Sequence, residues 1–169
     1  GLADGNIYVG DLNLRPETAW SVEAGFDHAF GRYYLRPTVF VREIDDYIQG
    51  VPFDDTPGVI DSPQEMVAAM NGDPTPLRFA NVGARLYGVD VAAGARLDDR
   101  WRVDLVAAWV RGERTDIDDN LYRVAPPSLT AALTREGDGW SVTLETRWAD
   151  GQDRVSATNG EQPSDSWTT

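Results

Sequence analysis

Trp101-Arg102-Val103-Asp104-Leu105-Val106-Ala107-Ala108-Trp109 decides the fold. Its alternate positions are Trp101, Val103, Leu105, Ala107 and Trp109, none of them charged, while Arg102 and Asp104 begin the other set. The segment Trp140 to Trp148 repeats the arrangement, with Trp140, Val142, Leu144, Thr146 and Trp148 against Ser141, Thr143, Glu145 and Arg147. Successive side chains of a strand point to opposite faces, so each segment offers one face to hydrocarbon and one to water. A rise of about 3.3 Å per residue places the bracketing tryptophans roughly 26 Å apart, or about 20 Å of depth at a tilt near 40°. Indole favours a membrane interface because its body is apolar and its N–H wants a polar partner. Trp101, Trp109, Trp140 and Trp148 are therefore read as membrane girdle residues.

Outward from these two segments the alternation continues. Six long alternating stretches lie at residues 18–30, 32–48, 79–97, 100–113, 127–136 and 139–150. The apolar set comprises Trp20, Val22, Ala24 and Phe26, then Leu35, Val39 and Val41, then Tyr87, Val89, Val91, Ala93 and Leu97, and finally Leu129, Ala131 and Leu133. Opposite faces carry Glu23, Asp27, Arg36, Arg42, Asp90, Arg96, Arg102, Asp104, Glu145 and Arg147. Charges of both signs can pair across neighbouring strands. Pro37 falls on the apolar side, where its missing N–H predicts a bulge or distortion. The connections alternate short and long, which in an outer-membrane barrel puts Gly31, Asp98-Asp99 and Gly137-Asp138-Gly139 at the periplasmic end. Loops 49–78, 114–126 and 151–166 then face the medium. The opening Gly1-Leu2-Ala3-Asp4 has no initiator or leader features, and Ser166-Trp167-Thr168-Thr169 reads as the start of a strand, so a piece of a longer chain is expected.

Composition alone points elsewhere: 169 residues, a quarter of them charged, net charge −13, would suit an ordinary acidic soluble protein. A membrane strand, however, needs only about 10 residues, half of them polar, and leaves no hydropathy signal. The acidic balance argues against nucleic acid, whose affinity comes from counterions released by Lys and Arg contacts. Cysteine is absent, which excludes disulfides and thiolate metal sites.

The ordered motifs resemble the C-terminal barrel portion of a TonB-dependent outer-membrane receptor. Gly10-Asp11-Leu12-Asn13-Leu14-Arg15-Pro16-Glu17 before Trp20 is similar to that family's loop ending in Leu-x-Pro-Glu, with Asp11-Leu12 where members commonly show Asn-Pro. Ile44-Asp45-Asp46-Tyr47-Ile48 is similar to the close of the next strand. Phe79-Ala80-Asn81-Val82 and Tyr87-Gly88-Val89-Asp90 resemble the strand after the long loop, with Asp90 where many members place Glu, and Pro126-Pro127 precedes the following descent. The resemblance implies residues 1–169 as one partial barrel domain, with the plug domain and terminal strands lying elsewhere. It implies an active importer of a scarce metal chelate, most often a ferric siderophore, with outer-membrane lipid, the chelate and the TonB complex (through the plug region) as partners. With one histidine, no cysteine and no nucleophile set, no enzyme and no cofactor is expected.

Local candidates are few. Asp116, Asp118 and Asp119 gather carboxylates within a short loop, as calcium would need, but a solvated acidic loop explains them more simply. Asp54, Asp55 and Asp61 read likewise. Ser62-Pro63-Gln64-Glu65 predicts a capping box and a short helix through Met70. Met66 and Met70 would share one face, either packed on the barrel rim or, as soft thioethers, offered to copper(I). His28 is the one histidine, placed with Phe26 and Phe30 near a turn, and makes neither a triad nor a zinc set. The fold expected is all-β: an antiparallel up-and-down transmembrane β-barrel segment, about six to seven strands of a larger barrel, with long outside loops and one short helix. The competing fold is a soluble all-β binding module with the apolar stripe enclosed between two sheets.

Overall fold

The computed structural model describes residues 5–169, so the opening Gly1 to Asp4 lies outside the described residues. The order is β1 (Tyr8–Val9), β2 (Thr18–Gly25), β3 (His28–Phe30), β4 (Tyr33–Pro52), α1 (Pro63–Met70), β5 (Leu77–Arg96), β6 (Trp101–Arg114), β7 (Ser128–Gly137), β8 (Trp140–Ala149) and β9 (Trp167–Thr168). One sheet holds every strand, ordered β2-β4-β5-β6-β7-β8-β9, with β3 beside β4 and β1 beside β5. Sequential strands are antiparallel neighbours, and only β1 runs parallel to its partner. A sandwich needs a second sheet to cover the apolar stripe. None exists among the described residues, and Leu105, Trp109, Val142 and Trp148 stand exposed while Trp101 is half-buried.

Register carries the alternation of single strands across the whole sheet. Successive partners form apolar rows: Ala24, Val39, Val89, Trp109; then Pro37, Val91, Ala107, Leu129, Trp148; then Leu35, Ala93, Leu105, Ala131, Thr146; then Tyr33, Ala95, Val103, Leu133, Leu144. Charges meet this face only at its ends, as Glu43, Arg85, Arg111 and Glu113 beside the long loops and Arg135 beside the tight turns. A slip by one residue would turn every member of these rows to the other face, so the pattern itself fixes the pairing.

The reverse face is polar and internally satisfied. Tyr34 donates to Asp104 at 2.8 Å, Arg102 Nε donates to the same carboxylate at 2.7 Å, Arg36 reaches Asp27 at 2.8 Å, and the Thr134 and Thr143 hydroxyls meet at 2.9 Å. Exposed pairs of this kind are worth about 0–1 kcal/mol each. They keep the face wet-compatible rather than drive folding. Two glycines shape it: the Tyr34 ring lies over Gly94 and the Phe40 ring over Gly88, in space that any Cβ would occupy.

Several expectations change in detail. Pro37 causes no register shift. Its effect falls on the neighbouring strand, which breaks into β2 and β3 opposite it while both pieces keep one register. Phe26 N–H still donates to the Pro37 carbonyl at 3.2 Å, but proline has no N–H to return, so the ladder lapses there. The irregularity lies instead between Ile44 and Tyr47, with Asp46 at φ 59°. Strands β4 and β5 run 20 residues each and shorten the long loop to 53–76. Helix α1 has the expected Ser62 capping box. Met66 and Met70, however, do not pack on the rim. They are 57% and 82% exposed, and the helix buries Glu65 and Ala68 instead. Glu65 turns inward because its carboxylate caps the helix, taking the Ser62 N–H at 2.9 Å and hydroxyl at 2.7 Å.

Adjacent alanines test the two faces. Ala107→Arg, on the apolar side, should cost about 2–4 kcal/mol in a bilayer, whereas Ala108→Arg, opposite Asp90, should cost no more than about 1 kcal/mol. Denaturant titration of the full-length protein folded into liposomes reads the difference. Equal costs would remove the assignment of faces.

Candidate functional site

Two constellations gather at the long-loop end. The first joins residues that the sequence scatters over three elements. The loop leading into β2 brings Arg15, Pro16 and Glu17, the irregularity of β4 brings Asp46, and β5 brings Asn81. The Arg15 N–H donates to Asn81 Oδ1 at 2.7 Å, and Asn81 Nδ2 returns bonds to the carbonyls of Arg15 at 3.0 Å and Asp46 at 2.6 Å. Arg15 Nη2 pairs with Asp46 Oδ1 at 2.5 Å, and Glu17 Oε1 accepts the Ile48 N–H at 2.7 Å. Asn81 thus satisfies backbone groups that the break in the β4–β5 ladder leaves over. Asp45, beside it, pairs with Thr18 in the β2 ladder. Gly88 and Asp90 take no part in this knot. Gly88 lies under Phe40 and Asp90 stands between Thr38 and Ala108 on the polar face.

The second constellation is a cap. Loops 115–127 and 151–166 do not simply stand out from the sheet. They lie across the polar face near its loop end. Leu121, 2% exposed, packs with Ile44 and Ala84, and Tyr47, Leu86 and Val124 complete the cluster. Gly112 permits this approach, since a Cβ there would meet Val124 at 2.7 Å and Leu121 at 3.0 Å. Asp119 joins the two loops: one oxygen accepts the Ser156 hydroxyl at 2.9 Å and the Thr158 N–H at 3.0 Å, the other the Ala157 N–H at 2.9 Å. Glu161 reaches back to the amides of Arg123 and Ser156, at 3.1 and 2.9 Å. Asn159 Nδ2 ties the cap to the Gly50 carbonyl at 2.7 Å, and Gln49 Oε1 accepts the Tyr122 N–H at 3.1 Å. Burial alone would raise the Asp119 pKa, but the bonds from Thr158, Ala157 and Ser156 outweigh it and hold the carboxyl below its ordinary range. The Arg114 guanidinium does the same for Asp116, at 2.6 Å.

Those partners define what the acidic candidates do here. Asp119 has both oxygens engaged by the neighbouring loop, Asp116 is paired with Arg114, and Asp118 stands exposed between them. Asp54, Asp61 and Glu65 are the one carboxylate trio among the described residues whose oxygens approach within 4.8 Å, and Glu65 is already committed to the helix cap. The clasp residues Ser156, Asn159, Glu161 and Tyr122 carried no sequence signal. Each is an ordinary loop residue whose partner lies far along the chain.

Apolar rows on one face, a polar reverse and tight turns alternating with long loops make a barrel wall. A model of the family described as TonB dependent receptor-like, beta-barrel, matches residues 1–169. The chain belongs to that family. Among solved structures it is similar to a copper transporter, OprC, with TM-score 0.74 and 18% identity over 94% of this chain and 24% of that one. It is also similar to the FrpB iron transporter from Neisseria meningitidis, F3-3 variant, with TM-score 0.60 and 12% identity over 96% of this chain and 25% of that one. The F5-1 variant of FrpB, in its apoprotein form, gives TM-score 0.58 and 12% identity. No curated protein matches by sequence. This TonB-dependent receptor chain spans about a quarter of the length of those transporters, and the likeness extends to the fold.

The clasp sets a pH dependence. A carboxyl held below its ordinary pKa contributes stability above that ordinary value and loses it as pH falls through the depressed one. Hydrogen exchange of the Ala157 and Thr158 amides, taken relative to the unstructured rate at the same pH, should therefore be slow at neutral pH and approach that rate under acid. Asp119→Asn should raise it at neutral pH by roughly tenfold, the worth of about one charge-assisted bond. Unchanged exchange in the variant would mean that the loops hold together without Asp119.

Proposed function

We propose that residues 1–169 form wall and outside loops of an active importer in the outer membrane of a Gram-negative cell. The importer takes up a scarce metal chelate, with a ferric siderophore as the first reading. The supporting observation is the register-continuous apolar face backed by a polar one, the arrangement a chain needs to stand between lipid and an aqueous bore. Trp109 and Trp148 on the loop side, and Trp101 and Trp140 on the turn side, are the proposed girdle. Outer-membrane lipid, the chelate and the TonB complex are the partners, the last acting through a plug region outside this chain. Asp119 and its neighbours shape the outer mouth over which cargo passes. The reading needs no resident cofactor and assigns no catalytic residue.

Copper is the second reading, for one observation: Met66 and Met70, one turn apart on α1, leave their thioethers in solvent on one side of the long loop. The two cargoes separate in one experiment. A strain deleted for the full-length receptor is given ferric chelates or copper as the limiting supply, with and without TonB. Loss of TonB-dependent iron uptake supports the first reading, and loss of copper uptake alone replaces it with the second. Unaltered uptake of both would overturn the importer.

A further inference from the structure

On the turn-side half of the apolar face the register sets apolar residues such as Leu35, Ala93, Val103, Leu133 and Leu144 together with Arg135. Arg135 is the one Asp, Glu or Arg among them. Its guanidinium carbon lies 5.4 Å from the Trp101 ring centre and 5.7 Å from that of Trp140. Two indole faces thus hold the cation between strands β6 and β8. Its side chain is exposed and makes no ion pair among the described residues. The nearest carboxylate in sequence, Glu136, points to the polar face and is taken by Arg96 at 3.1 Å and Arg102 at 3.7 Å. At the loop-side end of the same face Arg85 pairs with Glu43 and Tyr87 donates to Glu113, while Arg111 lies over one indole only, that of Trp109 at 5.4 Å.

Immediately toward the centre of the sheet lies a mainly apolar groove lined by Val103, Ala131, Leu133, Leu144 and Thr146, with Ala132, Glu145 and Thr169 also against it. The small Ala131 between larger neighbours leaves the depression. A guanidinium on a lipid-facing surface calls for an anion, since an isolated charge there is costly. Arginine also offers paired donors to the oxygens of a phosphate. The indoles hold the planar cation in place and leave its N–H groups facing outward.

We propose that Arg135, framed by Trp101 and Trp140, binds the phosphate of an anionic phospholipid in the turn-side leaflet, with an acyl chain lying in the groove of Val103, Leu133 and Leu144. The inference rests on the membrane-wall reading above. Charge complementarity selects the headgroup, and the apolar groove selects a lipid over a free ion.

The test uses the full-length receptor in nanodiscs of phosphatidylcholine containing a minority of spin-labelled phosphatidylglycerol or spin-labelled phosphatidylcholine. The wild type should hold the anionic probe about fivefold more strongly than the zwitterionic one, the ratio expected of one cation at a lipid surface. Arg135→Gln should bring the ratio to parity, Arg135→Lys should retain part of it, and Arg36→Gln, on the polar face, should leave it unchanged. Heat-modified migration on a gel verifies that each variant is folded. A preference that survives in folded Arg135→Gln, or that millimolar inorganic phosphate abolishes in the wild type, overturns the lipid site. A chain that enters the nanodisc with no preference sinks this inference alone, whereas one that fails to enter a bilayer sinks the importer with it.

Discussion

Backbone hydrogen bonding is the constraint on which this architecture depends. In hydrocarbon no water replaces a missing partner, so every N–H and C=O of a crossing strand must find one on a neighbour. The sheet meets that demand with strands that follow one another in space as in sequence, and with ladders that stay in register for most of their length. Where the demand lapses, something local answers it. At Pro37 the adjacent strand parts for two residues, and at the β4 irregularity Asn81 and Glu17 supply the bonds that the ladder does not. Both exceptions involve residues that cannot continue a regular ladder, one for lack of an N–H and one through a positive φ at Asp46.

The same constraint separates two kinds of residue in a membrane strand: those that meet lipid and those that mend the backbone. Asn81, Glu17, Arg15 and Asp46 are of the second kind. Their side chains bond main-chain atoms or each other across β2, β4 and β5, so they hold the mouth of the wall in shape. The cap over the polar face follows a related logic. Its loops carry many unpaired amides, and Asp119 and Glu161, each with two oxygens, collect several of them.

Much of this was legible from the chain itself, and the reason is the period of a strand. Trp101 to Trp109 and Trp140 to Trp148 state their two faces residue by residue, and antiparallel pairing only multiplies that statement. The Ser62 capping box is equally local, three residues from cap to partner. What the sequence concealed was long-range or competitive. Met66 and Met70 read as a packing face because thioethers are apolar, yet the Glu65 cap turned the other side of α1 inward. The clasp at Asp119 depends on loop 151–166 arriving beside loop 115–127, which no spacing in the sequence announces.

Tyr34 over Gly94 and Phe40 over Gly88 carry an implication for the bore that this wall helps enclose. A ring laid flat on the neighbouring strand takes up width along the wall rather than depth into the opening. The bulk of two aromatic side chains is therefore absorbed in the plane of the sheet rather than raised above it. Smoothness here is a property of the missing methyl groups: a Cβ on Gly94 would lift the Tyr34 ring off the surface, and one on Gly88 would strike the Trp109 carbonyl as well as the Phe40 ring.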